Sequence, residues 1–394
     1  MAADKQNKVL NVPTLRFPKF SGEWVRDHIF NVAPLQRGFD LPTQDLEDGE
    51  YPVVYSNGIL RTHKYYKCEA PGLVTGRSGS IGNFTFIPEG NYWPHNTSLW
   101  VTNFHGNDPL FIYYLYQTIN ISQYATGSGV PTLNRNDVHR HGVSIPLVPE
   151  QRKIAEFLSL IDKRIVTQNR IIEDLKAEKK YLLEQLFCLP NEKSPRLRIK
   201  GHTSQWQKVR LSDIVNRIVT RNKNNSSSRV LTIAAQYGLI DQQEFFHKQI
   251  ASSDLSGYYL LNNGDFAYNK SYSGDYPWGA VKRLDNYPDG VLSTLYICFR
   301  PNDNVDSDFL CYYFESTKWY RGIMEISGEG ARNHGLLNMS VEDYFATRLR
   351  IPIIEEQRDI SKMLNTFSQK IKIEEELLDR LQKQKAFLLT SMFV

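Results

Sequence analysis

The chain of 394 residues is poor in cysteine, with four, and it lacks the arrangements that would give cysteine a chemical task. Cys68, Cys188, Cys298 and Cys311 form no C-x-x-C pair and have no neighbouring ligands at zinc spacing, so they read as buried thiols of a reducing compartment. The nine histidines make no H-x-x-x-H, which leaves metal chemistry without support. There is no run of 18 apolar residues and no charged-then-apolar leader, and the expectation is a soluble intracellular protein. Catalytic signatures are missing as well. GRSGSIG (residues 76–82) follows a strand-like stretch but lacks the Gly-Lys-Ser/Thr of a phosphate loop. NDPLF (residues 107–111) looks superficially like an adenine-methyltransferase motif, yet Leu110 replaces the second proline and no glycine-rich methyl-donor loop precedes it; it reads as a turn before a helix. No Asp…Glu-x-Lys nuclease cluster lies in a strand context, and EDLKAEKK reads as a solvated helix face. Excess charge of either sign is also small: 47 Lys and Arg against 43 Asp and Glu give +4, which permits an anionic partner without requiring one.

What is present is a repeat. Residues 150–187 and 356–393 align at a constant offset of 206, with 11 of 38 positions identical. Steps of four and three land on Ile154, Leu158, Ile161, Ile165, Ile172, Leu175, Leu182 and Leu186 in the first copy. In the second they land on Ile360, Leu364, Phe367, Ile371, Leu378, Leu381, Leu388 and Met392. An apolar seam every 3.5 residues is what two helices need to keep burying one face along each other. Polar breaks fall at matching places, Gln168 with Glu374 and Lys179 with Lys385, as expected of residues that fix register. At 1.5 Å per residue each helix is about 55 Å long. The repeat also extends upstream: PTLRFPKFSGEW (residues 13–24) and PRLRIKGHTSQW (residues 195–206) share Pro, Leu, Arg and Trp at an offset of 182. The chain is a duplicated unit of lead-in segment, globular domain and long helix, with 24 additional residues in the second domain. Between the shared anchors the two domains diverge almost completely.

Those domains read as mixed α and β. Short runs such as YPVVYS, GLVTG, NFTFIP and TSLWVTN, and later RVLTIAA, GDFAYN and GAVKRL, are separated by tight-turn signals. Residues 110–120 read as a helix or a buried strand, and residues 309–321 as a helix. The Asn/Ser-rich stretch at residues 221–229 reads as a flexible, solvated loop.

This layout resembles the specificity (S) subunit of type I restriction–modification systems. The resemblance is carried by I-P-x-x-x-E-Q-R at Ile145 and Ile351, the helices that follow, the L-R…W segments at Leu15 and Leu197, and the TGSGVPTLN stretch around Gly127; Glu355 stands where the family often has proline. It implies an α+β architecture: two globular α/β target-recognition domains (residues 1–146 and 191–352) separated by two long helices (residues 147–190 and 353–394) forming an antiparallel coiled coil with a pseudo-two-fold internal repeat. It further implies a non-catalytic subunit whose domains each read half of a bipartite double-stranded DNA site. The helices set the spacing and dock two adenine-methyltransferase subunits, with restriction subunits joining the full complex. No cofactor is expected in this chain; S-adenosylmethionine, ATP and Mg2+ belong to the partners, and the location is the prokaryotic cytoplasm, at the nucleoid when DNA-bound. The alternative is a coiled-coil adaptor without nucleic-acid binding.

Candidate DNA contacts are chosen where Lys and Arg neighbour rings, glycine or amides, because guanidinium and ammonium groups neutralise phosphate while Arg, Asn, Gln and Ser read base edges. They are the Asn57-Gly58 turn, Lys64 in THKYYK, Arg77 and Ser78 in GRSGSIG, Arg135, Gln236, the Lys270-Ser271-Tyr272 run, and Arg332 and Asn333 in GEGARNHG. The competing readings are an ordinary tight turn for GRSGSIG, and core aromatics with lysine rims for Tyr65, Tyr66 and Trp278. GEGARNHG occupies the place in the second domain that TGSGVPTLNRN occupies in the first.

Overall fold

The computed structural model describes residues 11–127, 129–234, 237–246, 254–272, 274–328 and 336–394. The chain divides into two compact units, residues 1–170 with 376–394, and residues 171–375. Each unit therefore contains one globular domain, part of the central helix (Val148–Leu186) and part of the C-terminal helix (Ile354–Ser391).

In the first unit the lead-in strand Val25–His28 pairs antiparallel with Gly142–Ile145, Val25 opposite Ile145, so the domain's two ends are hydrogen-bonded together just before the central helix starts. A four-stranded antiparallel sheet follows the order Leu35–Arg37, Ser98–Val101, Gly72–Gly76, Phe84–Ile87. A second four-stranded sheet joins Gly58–His63, Tyr51–Tyr55, Asn91–Pro94 and Cys68–Glu69. The second unit repeats the first plan. Gln207–Arg210 pairs with Arg348–Ile351, Gln207 opposite Ile351, and a four-stranded sheet runs Val215–Arg217, Ile297–Pro301, Phe266–Asn269, Ala280–Arg283. Among the described residues its remaining strands form the separate pairs Leu231–Ala234 with Gly238–Asp241 and Tyr259–Asn262 with Asp289–Leu292, where the first unit has its second four-stranded sheet.

The helix after the last sheet strand is also repeated. Residues 110–120 resolve as a helix, Pro109–Thr118, capped by Asp108, whose carboxylate accepts the Phe111 N–H at 2.9 Å. Its counterpart Ser307–Glu315 is capped by Asp306 through Phe309 N–H at 2.8 Å. The single helix expected to Arg321 ends at Glu315 and restarts at Tyr320–Ile326, because Glu184 takes the Thr317 N–H and hydroxyl, both at 2.8 Å. The 221–229 stretch is folded rather than free: buried Asn222 accepts the Ser227 N–H and donates to its carbonyl.

The seam expected for the long helices is covered throughout. Ile154, Leu158, Ile161, Leu175, Ile360, Leu364, Ile371, Leu381 and Leu388 are buried, and Ile165, Leu182 and Phe367 half-buried. In the first unit Ile154, Leu158 and Ile161 share a core with Leu388, Met392 and Phe393, and Lys385 bonds Asp162 at 2.7 Å. In the second, Leu183, Leu186 and Phe187 share a core with Ile360 and Leu364, and Lys176 bonds Glu375 at 2.6 Å. Within each unit the later part of one helix lies against the earlier part of the other, which is antiparallel pairing.

The repeated Glu-Gln explains how each domain is gripped. Glu150 receives two N–H groups of Arg16 at 2.7 and 2.8 Å, and Glu356 receives Arg198 likewise at 2.8 and 2.7 Å. Gln151 accepts the Asp108 N–H at 2.9 Å while donating to the Pro146 carbonyl; Gln357 does the same with Asp306 and Pro352. A buried carboxylate is tolerated only when fully engaged, and here a bidentate arginine engages each one at the first turn of its helix. Matching backbone bonds, Leu15 N–H to Ser391 and Leu197 N–H to Gln185, tie each lead-in segment to the last turn of the helix that ends in its own unit.

Candidate nucleic-acid interface

Two of the basic residues singled out above directly follow the third strand of a four-stranded sheet: Arg77 after Gly72–Gly76 in the first unit and Lys270 after Phe266–Asn269 in the second. In the first unit the chain turns at Gly76, where a Cβ would sit 2.1 Å from the Ser80 carbonyl, and again at Gly79 and Gly82, both at positive φ. GRSGSIG is thus a tight turn, and one that also presents Arg77. The Arg77 backbone is held on both sides: its N–H donates to Thr97 at 2.9 Å and its carbonyl accepts Leu133 N–H at 2.8 Å. Ser78 bridges Thr132.

An open cleft of about 630 Å³ lies beside this turn, lined in part by Gln36, Arg37, Asp40, Arg77, Asn134 and Arg135. Asp40 is engaged by Arg37 at 2.8 Å and by the Asn96 amide. Among the described residues no carboxylate pairs with Arg77 or Arg135. Such a recess suits an anion or a surface rich in acceptors.

In the second unit the Lys270 carbonyl accepts Leu337 N–H at 3.0 Å, and Ser271 bridges Leu336. Lys270-Ser271 and Arg77-Ser78 therefore hold equivalent posts, each against the far side of the glycine-rich loop. Tyr272 is exposed beside them. Arg332 and Asn333, with Gln236, lie outside the described residues.

The other candidates fall elsewhere. Asn57 lies with Ser56 in the two-residue turn between Tyr51–Tyr55 and Gly58–His63; Gly58, at φ +108°, opens the second strand opposite Tyr55, and neither Asn57 nor Gly58 lines the cleft. Lys64 is exposed but paired with Glu47 at 3.1 Å, and hydrogen bonding to that carboxylate raises its pKa. Tyr65 and Tyr66 are exposed rather than core residues, whereas Trp278 packs against the second unit's core. Sequence reasoning missed Arg37, Gln36 and Asn134, whose partnership with Arg77 exists only because the sheet brings separate segments together. It noticed Arg16, Glu150, Arg198 and Glu356 as repeated letters without reading their pairing.

The seam lysines also have a different use from the one expected. Lys385 lies 5.8 Å from the ring of Tyr114, whose hydroxyl donates to Asp162 at 2.8 Å. Lys179 lies 5.0 Å from the ring of Tyr312 and bonds Glu315 at 2.8 Å, while the Tyr312 hydroxyl donates to Asn365 at 2.6 Å. Both lysines fasten a domain helix to the long helices. Burial pushes the Tyr312 hydroxyl up to about 12, so it remains a proton donor there.

Among the described residues no group of three or more His, Cys, Asp or Glu could hold a metal ion, and no helix is long and apolar enough to cross a membrane. Fold and surface together define a duplicated, two-domain recognition protein built on paired helices. The sequence pattern of the type I restriction modification DNA specificity domain matches residues 22–177 and again 203–383, and the chain belongs to that family. It is 23% identical over 299 residues to the type I restriction enzyme MjaVIII specificity subunit of Methanocaldococcus jannaschii, covering 71% of this chain and 68% of that one. Its fold is shared with the type I restriction–modification S subunit from M. genitalium at a TM-score of 0.58 and 16% identity, over 97% of this chain and 99% of that one. It is shared as well with a chain from a structure on complex assembly and conformational transition of the type I R-M system, at 0.54 and 15% identity, over 93% and 96%.

Proposed function

We propose that this chain is the DNA-reading subunit of a type I restriction–modification complex, each domain reading one half of a bipartite site. It has no reaction of its own. The paired helices set the gap between half-sites and dock two copies of an adenine-methyltransferase subunit, with restriction subunits completing the assembly. S-adenosylmethionine, ATP and Mg2+ are held by those partners.

The observation that carries this reading is a scaffold repeated down to its hydrogen bonds, Arg16–Glu150 with Arg198–Glu356 and Gln151 with Gln357, bearing heads that differ. A constant part suits a constant partner and varied parts suit varied sequences. Docking of two like partners is supported by apolar residues left exposed at the same offset of 206 as the buried seam: Leu147 and Ile353, Ile171 and Leu377, Tyr181 and Phe387. Repetition of exposed positions has no use in packing the chain itself, and exposed apolar patches mark interaction sites.

Filter binding of double-stranded DNA by the chain, alone and with its methyltransferase partner, tests the reading over a salt series. Retention that falls steeply with salt is expected, since phosphate contacts release counterions. Retention of no DNA would favour the adaptor, and methyl transfer by the chain alone would mark an independent enzyme.

A further inference from the structure

We propose that Arg77 reads a guanine in the half-site of the first domain, and that Lys270 holds the matching post in the second. The proposal deepens the DNA-recognition reading and rests on it.

The two residues are separated by 193 positions, an offset that belongs to neither repeated segment, so their equivalence comes from the fold. Both follow the strand at the same place in the sheet order, both accept a backbone N–H from the segment that follows the glycine-rich stretch in sequence (Leu133 or Leu337), and both precede a serine bridged to that same segment. A sequence-reading side chain needs a stiff mount, because a contact loose by an ångström discriminates poorly. Arg77 has one: its own N–H and carbonyl and the Ser78 N–H are all bonded within the domain, at 2.9, 2.8 and 3.3 Å. Only the side chain is left to move, and Arg77 is one of the residues that line the cleft.

The chemistry of the cleft narrows what that side chain meets. Asp40 is occupied by Arg37 and Asn96, so the half-buried Arg77 guanidinium keeps its donors available for a partner from outside. A planar fork of N–H groups is matched by two acceptors side by side. Among base edges in the major groove, guanine presents that pair as O6 and N7. Arg135, exposed at the same cleft, is placed instead to meet phosphate.

The test uses the assembled methyltransferase complex and a DNA library randomised in both half-sites, with methylated products sequenced. Arg77→Ala should lose about tenfold or more of the preference for guanine at one position of one half-site and leave the other half-site unchanged. Arg77→Gln should move the preference at that position toward adenine, which offers N6 and N7 to an amide, and this gain of a new preference cannot come from misfolding. Lys270→Ala should relax the opposite half-site alone. An even loss of methylation across all sequences with Arg77→Ala would make Arg77 a phosphate contact and overturn the assignment, as would an unchanged preference. A wild-type complex that methylates without any bipartite preference would instead remove the underlying reading, and this proposal with it.

Discussion

Single residues decide how the domains are held. Glu150 is 3% exposed and its carboxylate is spent on Arg16, itself 17% exposed. Removing one member of a buried ion pair leaves the other charge unmatched, at a cost of about 3 kcal/mol or more. Glu150→Ala should therefore raise hydrogen exchange in the first unit while sparing the second, and Glu356→Ala should do the reverse. Equal loosening of both units by either change would show that the grips are not local. The thiols give a second residue-scale expectation. Burial pushes Cys68 and Cys298 up to about 12 and Cys188 up to about 11. An unfolded chain ionises its thiols near pH ~8.5 while the folded one does not, so their contribution to stability is present below that pH and lost as pH rises toward the folded values. Thiol reagents at pH 8 should label the native chain far more slowly than the denatured chain; equal rates would contradict the burial.

At the scale of elements, each domain borrows the end of a helix that began elsewhere in the chain. Phe393 stacks on Phe111 at 5.2 Å and meets Trp24, and Phe187 packs on Phe309 at 5.1 Å in the second unit, where Trp206 also meets Phe309. Truncating a buried phenylalanine to alanine costs about 3–5 kcal/mol. Phe393→Ala should lower the unfolding midpoint of the first unit by that measure and leave the second unit's transition in place, with Phe187→Ala acting conversely. Residue-resolved hydrogen exchange distinguishes the two. One difference between the copies is visible here: the Trp206 indole N–H donates to Glu356 at 3.2 Å, whereas that of Trp24 has no partner among the described residues.

For the whole molecule the proposed division of labour makes the helices a ruler and the domains the readers. Deleting one heptad from each helix, chosen so that the seam stays in phase, shortens the rods by about 10 Å, or roughly three base pairs of B-DNA. The methylated site should then keep both half-site sequences and lose that much of its gap. Altered half-sites with an unchanged gap would mean that the helices do not set the spacing. Filter binding of the wild-type chain and Arg135→Ala across salt concentrations should give a shallower slope for the variant, because one phosphate contact is worth about one unit of slope in log affinity against log salt.

Duplication, helix lengths, seam and strand-rich heads were all legible from the letters, because periodicity and repetition are local properties that any copy of the chain displays. Which elements touch was only partly legible. The offset of 206 announced Glu150 and Glu356 as counterparts, but not that Arg16 and Arg198 close on them, since an ion pair depends on distance and not on spacing along the chain. Likewise the equivalence of Arg77 with Lys270, and the recess that Arg77 shares with Arg37 and Arg135, emerged only once sheets had drawn remote segments together. Sequence alone determined that there are two similar frames carrying two unlike heads; tertiary structure decided which side chains those heads turn toward a partner, because that choice is made by hydrogen-bonded pairing between segments that no local pattern links.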